Sequence, residues 1–177
     1  MTPVLRTPRL TLRRPTGSDI DRLLQLASDF EVARMLERMP HPYTLSDGEA
    51  WLAGIGSDPR RTDFAIDDGS GLIGGISLRG LDETPVIGYW LGRPYWGRGY
   101  MREAAGAVLG GLFDSRDVAQ VEARAMTENT ASLKVLAKLG FEDVGPAECT
   151  STACGQTRPA RRCLLDRATF HRLMTGA

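Results

Sequence analysis

The stretch that most limits what this chain can become is YWLGRPYWGRGYMREAAGAVL, residues 89–109. A strand-like run leads into Gly97-Arg98-Gly99, and an amphipathic helix must begin at once. Met101, Ala104, Ala105, Val108, Leu109 and Leu112 fall on one continuous helical face. Glycines at such a junction let backbone N–H groups approach a ligand closely. The first helical turn adds unpaired donors and the positive end of the helix dipole. Together these features suit a phosphate or pyrophosphate, and Arg93, Arg98 and Arg102 could add charge-assisted contacts. A tight strand-to-helix turn with no ligand has the same sequence. A dinucleotide fingerprint is excluded, because G-x-G-x-x-G would need a third glycine where Arg102 stands and should follow the first strand. The nucleotide-binding pattern G-x-x-x-x-G-K-[ST] does not occur.

The elements on either side give the order. Arg9 to Arg14 alternates Leu10 and Leu12 with polar residues, the period of a half-buried strand. Pro15-Thr16-Gly17 ends it. Ser18 and Asp21 read as a capping box opening a helix with Ile20, Leu23, Leu24 and Ala27 on its apolar face. A second helix is expected from Phe30 to Met39, stopped by Pro40-His41-Pro42, and a third from a Ser46/Glu49 box. Strands follow at Thr62–Ile66, Leu72–Leu78 and Val86–Leu91, the first two joined by the turn-forming DDGSG. After the helix from Tyr100 come a strand at Val118–Ala125 and a helix at Asn129–Leu139 ended by Gly140. Leu133, Leu136, Ala137 and Leu139 should form the core face of that helix. Strands at Phe141–Cys149 and Arg161–Leu165 flank a polar loop, and a helix covers Asp166–Met174. This order describes a mixed α/β fold, expected as a single domain over residues 1–177.

Composition narrows the function classes. The 22 basic and 22 acidic side chains cancel, which disfavours a nucleic-acid module. The longest apolar run, AAGAVLGGLF at 104–113, is far short of the ~20 residues of a membrane span. The N-terminal MTPVLRTPRLTLRR carries charge without an apolar core, so no signal peptide is read and the expected location is cytoplasmic. Cys149, Cys154 and Cys163 follow no disulfide or zinc spacing, and with only His41 and His171 in support no metal site is expected. Of the basic residues, 20 are Arg.

A second informative stretch is ENTASLKVLAKLGF, 128–141, where Asn129 is a good N-cap and Ser132 lies in the first turn. With both stretches in this order, the chain resembles the GNAT superfamily of acetyl-CoA-dependent N-acetyltransferases, and most closely its RimJ/RimL-type branch. The resemblance runs from TPRLTLRRPTGSDIDRLLQL through IGYWLGRPYWGRGYMREA to N-x-x-S-x-x-V-x-x-K-L-G-F. Trp96-Gly97-Arg98-Gly99-Tyr100-Met101 lies on the superfamily signature [QR]-x-x-G-x-[GA], with Met101 where a small residue is usual.

The resemblance implies a central, mostly antiparallel sheet with helices on both faces, and acetyl transfer from acetyl-CoA to a primary amine with no metal. It places Leu91 against the pantetheine arm, residues Trp96, Gly97, Arg98, Gly99, Tyr100, Met101 and Arg102 around the pyrophosphate, and Asn129 on the pantetheine. The cofactor would lie between the Val86–Leu91 and Val118–Ala125 strands. Ser132 matches a serine that serves as proton donor to the sulfur in some members. The helix tyrosine common in relatives is replaced by Leu136, and a strand glutamate by Val86. Glu83, Glu122 and Glu128 are the candidate bases. The acceptor would be a protein N-terminal α-amine or a small-molecule amine, walled by residues between Phe30 and Trp51 and by the Cys149–Cys154 segment. A monomer or homodimer is expected, with no nucleic-acid or membrane partner. The competing expectation is an acyl-CoA-binding sensor of the same fold with weak turnover.

Overall fold

Thr16 and Asp19 form a reciprocal capping box, and Asp19 leads directly into α1 (Ile20–Ala27). The box is therefore two residues earlier than the Ser18/Asp21 pair expected. The same shift occurs at the third helix, where Thr44 and Asp47, not Ser46 and Glu49, cap α3 (Leu45–Gly54). In both places the earlier threonine has the extended backbone that an N-cap requires. Between them the chain forms only one turn, α2 (Phe30–Ala33), followed by turns up to Pro40. Neighbouring Val32 and Ala33 are buried while Phe30 is exposed, so this segment offers too narrow an apolar face for a longer helix.

The computed structural model describes residues 2–175. Eight strands form one sheet: β1 (Leu5–Arg6), β2 (Thr11–Arg13), β3 (Arg61–Asp67), β4 (Leu72–Arg79), β5 (Val86–Leu91), β6 (Gln120–Met126), β7 (Glu142–Ser151) and β8 (Gln156–Asp166). Their spatial order is β1-β2-β3-β4-β5-β6-β8-β7. Every neighbouring pair is antiparallel except β5 and β6. The polar loop expected at 150–160 is mostly strand, because Thr150↔Thr157 and Ser151↔Gln156 extend the β7–β8 hairpin to a four-residue tip.

The sheet has a core on each face. On one side α4 (Tyr100–Ser115) and α5 (Thr130–Leu139) cover Phe64, Ile66, Ile73, Ile76, Ile87 and Val121, and Phe170 of α6 (Arg167–Thr175) joins them. The α4 face is the one its periodicity predicts. On α5, Leu136 and Leu139 are buried but Ala137 is exposed. On the other side α1 places Leu23, Leu26 and Ala27 against Ala65 and Leu72, with Tyr43, Trp51 and Trp90 at the margin.

One ion network ties the first strands to α1. The Arg13 guanidinium donates to both Asp19 oxygens at 2.8 and 2.7 Å and to Asp67 at 3.1 and 3.0 Å. Burial alone would raise the Asp19 pKa, but Arg13 and the Thr16 N–H hold it below the ordinary carboxylate value. Its stabilisation is therefore fully present above about pH 4 and is lost as pH falls through its depressed folded value. Replacing Asp19 with Asn should cost about 2 kcal/mol in urea unfolding at pH 7, and the difference from wild type should shrink at pH 3. An equal difference at both pH values would mean that the carboxylate charge contributes nothing.

Candidate functional site

The parallel pair β5–β6 is joined through only two residue pairs, Val86↔Glu122 and Ile87↔Ala123. Beyond Ile87 the strands part. Antiparallel pairing with β4 continues through Leu91, and the Gly92 N–H still donates to the Ile73 carbonyl at 2.9 Å. Because successive peptide groups alternate direction, Gly88 and Trp90 bond toward β4 while the N–H and C=O of Tyr89 and Leu91 point into the gap. The Leu91 carbonyl accepts from Trp96 Nε1 at 2.8 Å.

Close packing on the β4 side holds β5 there. A Cβ built on Gly74 would lie 2.3 Å from the Trp90 carbonyl oxygen, and one on Gly75 would lie 3.0 Å from Trp90 Nε1. On Gly88, which lines the cleft, the nearest atom would be Ser77 Oγ at 3.6 Å.

The gap opens into a cleft of about 1320 Å³ that passes through the sheet and continues to the face covered by α1–α3. The glycine turn stands at one end. Gly97 and Gly99 have φ of 74° and 77°, the left-handed region that side chains with Cβ disfavour, and α4 begins at the next residue. The Tyr100, Met101 and Arg102 N–H groups in the first turn precede the first intrahelical bond, from Glu103 N–H to the Gly99 carbonyl. A brace fixes this turn from behind. Arg9 pairs with Glu103, its Nη1 donates to the Arg98 carbonyl at 2.9 Å, and its guanidinium lies 4.7 Å from the Tyr100 ring centroid. Glu103 also accepts from Thr7 Oγ1 at 2.6 Å. No local pattern in the sequence joins Arg9 to Glu103, since 94 residues separate the two.

Ser132 and Asn129 meet at the other wall. The Asn129 side chain caps α5 by accepting from the Ser132 N–H at 3.1 Å, and Ser132 Oγ lies 3.0 Å from the Tyr89 hydroxyl. Burial pushes the Tyr89 pKa up to about 12, with the Ser132 hydrogen bond opposing it. Tyr89 was not among the residues singled out in the sequence. Its strand position alone could not place it beside α5.

The other expected residues divide. Leu91, Trp96, Gly97, Gly99, Tyr100, Met101, Arg102, Asn129 and Ser132 all line the cleft. Arg98 does not; its side chain lies over Tyr95, 5.7 Å from the ring centroid, and Arg93 sits 3.8 Å from Asp29. Of the three arginines read as one cluster, Arg102 alone faces the cleft. Neither Glu83 nor Glu122 lines it. Glu83 is exposed in the β4–β5 turn. Glu122 is buried between Arg162 and Arg124 at 2.7 and 2.8 Å; burial would raise its pKa, but these two cations hold it low. A carboxylate so held is a poor proton acceptor. Glu128 does line the cleft, and Arg158 and Arg34 keep its carboxylate below the ordinary range.

The remaining wall is built from the Met35–Met39 segment and the β7–β8 tip. Thr152 donates to the Glu37 carbonyl through both its N–H and its Oγ1, at 3.1 and 2.5 Å. Cys149 faces this part of the cleft, and burial pushes its thiol up to about 12, so it is no nucleophile at neutral pH. All three cysteines are free. Among the described residues no group of His, Cys, Asp and Glu is arranged to hold a metal, and no helix is long and apolar enough to cross a membrane.

Comparison with known proteins places this geometry. A family model described as an acetyltransferase (GNAT) domain matches residues 9–142. The uncharacterised N-acetyltransferase p20 of Bacillus licheniformis is 31% identical over 149 residues, covering 80% of this chain and 83% of that protein. Mycobacterium smegmatis RimJ in complex with a CoA disulfide superposes with a TM-score of 0.84 at 20% identity, over 98% of this chain and 93% of that one. RimL, a ribosomal L7/L12 α-N-protein acetyltransferase in complex with coenzyme A, gives 0.82 at 17% identity, over 93% and 98%. The two solved structures establish likeness of fold.

The glycine packing can be tested directly. Gly74→Ala should cost about 2–3 kcal/mol in denaturant unfolding through overpacking against β5, and Gly88→Ala less than about 1 kcal/mol. Equal costs would mean that β5 is not pressed against β4.

Proposed function

We propose, from the premise that this chain belongs to the acetyltransferase (GNAT) family, that it transfers the acetyl group of acetyl-CoA to a primary amine by direct attack on the thioester. The observation that carries the reading is one continuous cleft. It joins the N–H donors of the glycine turn to the unpaired edge of β5 and then opens toward the opposite face of the sheet.

The residues present fit an acyl-CoA. Positive φ at Gly97 and Gly99 exposes backbone N–H groups toward an anion, and Arg102 adds a cation that has no hydrogen-bond or ion-pair partner among the described residues. The Tyr89 peptide group and the Leu91 N–H would hold an amide-bearing chain as a strand is added to a sheet edge, the Leu91 carbonyl being taken by Trp96 Nε1. Asn129 retains a side-chain N–H₂ beyond its capping bond for the same purpose. When bound, acetyl-CoA supplies the thioester carbonyl that the amine attacks and the thiolate that leaves.

Ser132 Oγ is the group proposed to hold a proton for that thiolate. Tyr89 stays protonated at neutral pH and can donate to Ser132 Oγ, which leaves the serine proton free to point into the gap. The tyrosine missing from α5, where Leu136 stands, is thus offset by a tyrosine on β5. Leaving-group protonation is a modest demand, since a thiol has pKa ~8.5. The amine also needs little help if it is an α-amine of pKa ~8, whereas one of pKa ~10 would need an effective base. Glu122 and Glu83 lie off the cleft and Glu128 is held by cations, so the α-amine suits this site better.

Release of CoA thiol in the presence of an amine panel tests the reading. We expect release with at least one α-amine; tight CoA binding with no release from any amine would leave an acyl-CoA sensor. Ser132→Ala should lower kcat by about tenfold or more, with acetyl-CoA affinity unchanged within twofold. Gly99→Val should weaken CoA binding by about tenfold or more while retaining a native circular dichroism spectrum. An unchanged CoA affinity would reduce the glycine turn to a connector.

A further inference from the structure

The far end of the cleft, beyond the β5–β6 gap, holds a charge arrangement that the acyl-CoA reading does not use. In register across the sheet, Asp63, Ser77 and Gly88 share one row on the face covered by α1–α3, and Arg61, Arg79 and Val86 share the next. Two residues along a strand separate these rows by about 7 Å. Asp63 is 3% exposed; its Oδ1 accepts from Arg61 at 2.7 Å while its Oδ2 has no hydrogen-bond partner. The Nε atoms of Arg61 and Arg79 are likewise shielded from solvent with no partner. The half-buried Arg79 side chain makes no hydrogen bond or ion pair with the described residues, yet it lines the cleft.

Such a cation is costly unless an anion completes it. Burial disfavours the Arg79 charge, and Arg38 and Arg61 repel it, against the attraction of Asp63 and Glu37, neither of which bonds to it. Asp63 is already engaged by Arg61, and Glu37 also faces Cys149. Cationic charge is therefore left over at a point where the fold gives it no internal partner, on the side of the sheet from which an acceptor would approach.

We propose that Arg79, supported by Arg61, binds an anionic oxyacid group, a carboxylate or a phosphate, carried by the amine that is acetylated. This rests on the transferase reading, which it extends to the class of acceptor. A planar guanidinium matches either oxyacid through paired N–H donors. The amine end then lies in the row of Asp63 and Gly88, next to the gap, and the anion one row further along.

The test is isothermal titration of the full chain with matched probes: β-alanine against β-alaninamide, O-phosphoethanolamine against ethanolamine, and a C-terminally amidated Ser-Asp-Ser peptide against Ser-Asn-Ser. The anionic member of at least one pair should bind about tenfold or more tightly, and Arg79→Gln should reduce that advantage below about threefold. The pair that shows it identifies the source of the anion. Arg172→Gln, on α6 and away from the cleft, should leave the advantage intact. Equal affinity within all three pairs, no measurable binding, or an advantage that survives Arg79→Gln would overturn the proposal. Thermal unfolding separates a structural role from a binding one: Arg79→Gln should not lower the wild-type Tm, and the preferred anion should raise the Tm of the wild type alone. A lowered Tm, or an equal ligand-induced rise in both proteins, contradicts it. CoA thiol release from the same probes isolates the transferase reading. For the peptide pair, whose amine is a peptide α-amine, discrimination without release would end that reading and keep the anion site, whereas equal release from both members of each pair would do the reverse.

Discussion

The parting of β5 from β6 after two paired residues is the constraint on which the rest of the site depends. A strand edge with unpaired N–H and C=O groups inside a sheet is unfavourable unless something satisfies those groups. Here β5 cannot shift to close the gap, because Gly74, Gly75 and the Gly92 N–H hold it against β4. Nor can β6, which is held on its other edge by a long antiparallel register with β8. α4 and α5 cover one side of the opening and the Met35–Met39 segment covers the other. The gap is therefore a fixed feature of the fold, not the result of a weak strand pair.

Charge is distributed around that opening in a way the whole-chain total conceals. The 22 acidic and 22 basic groups cancel, and most are neutralised locally. Arg13 with Asp19 and Asp67, Arg9 with Glu103, and Glu122 with Arg124 and Arg162 are fixed pairs that hold elements in place. Three arginines on the cleft stand outside such pairs among the described residues, Arg102 at the glycine turn and Arg79 and Arg38 at the far end. Arginines fixed in ion pairs and arginines left open on the cleft are thus told apart by their partners, not by proximity in sequence. Arg93 and Arg98 lie within ten residues of Arg102 and turn elsewhere.

Apart from the two-residue β1, which was not expected, and the shortened α2, the element order was legible, as were the apolar face of α4, the Asn129 cap and the backbone of the glycine turn, because each is a local property of a few consecutive residues. The capping boxes were misplaced by two residues, since Thr16, Ser18, Thr44 and Ser46 all have the right chemistry and only the backbone angles distinguish them. Glu122 looked like a candidate base because nothing in the sequence reveals that Arg162, 40 residues on, would reach its carboxylate. Tyr89 and Asp63 were passed over for the converse reason: their significance comes from register, which brings Tyr89 beside Ser132 and Asp63 into the row of Gly88.

The central claim is that an acyl-CoA completes the open edge of β5. Amide hydrogen exchange at Tyr89 and Leu91, read residue by residue with and without CoA, addresses it most directly. Saturating CoA should slow exchange at one or both of these amides and at Met101 and Arg102, while the β7–β8 hairpin amides are unchanged. Bound CoA with unaltered exchange along β5 would contradict the account, because the ligand would then lie somewhere other than the gap.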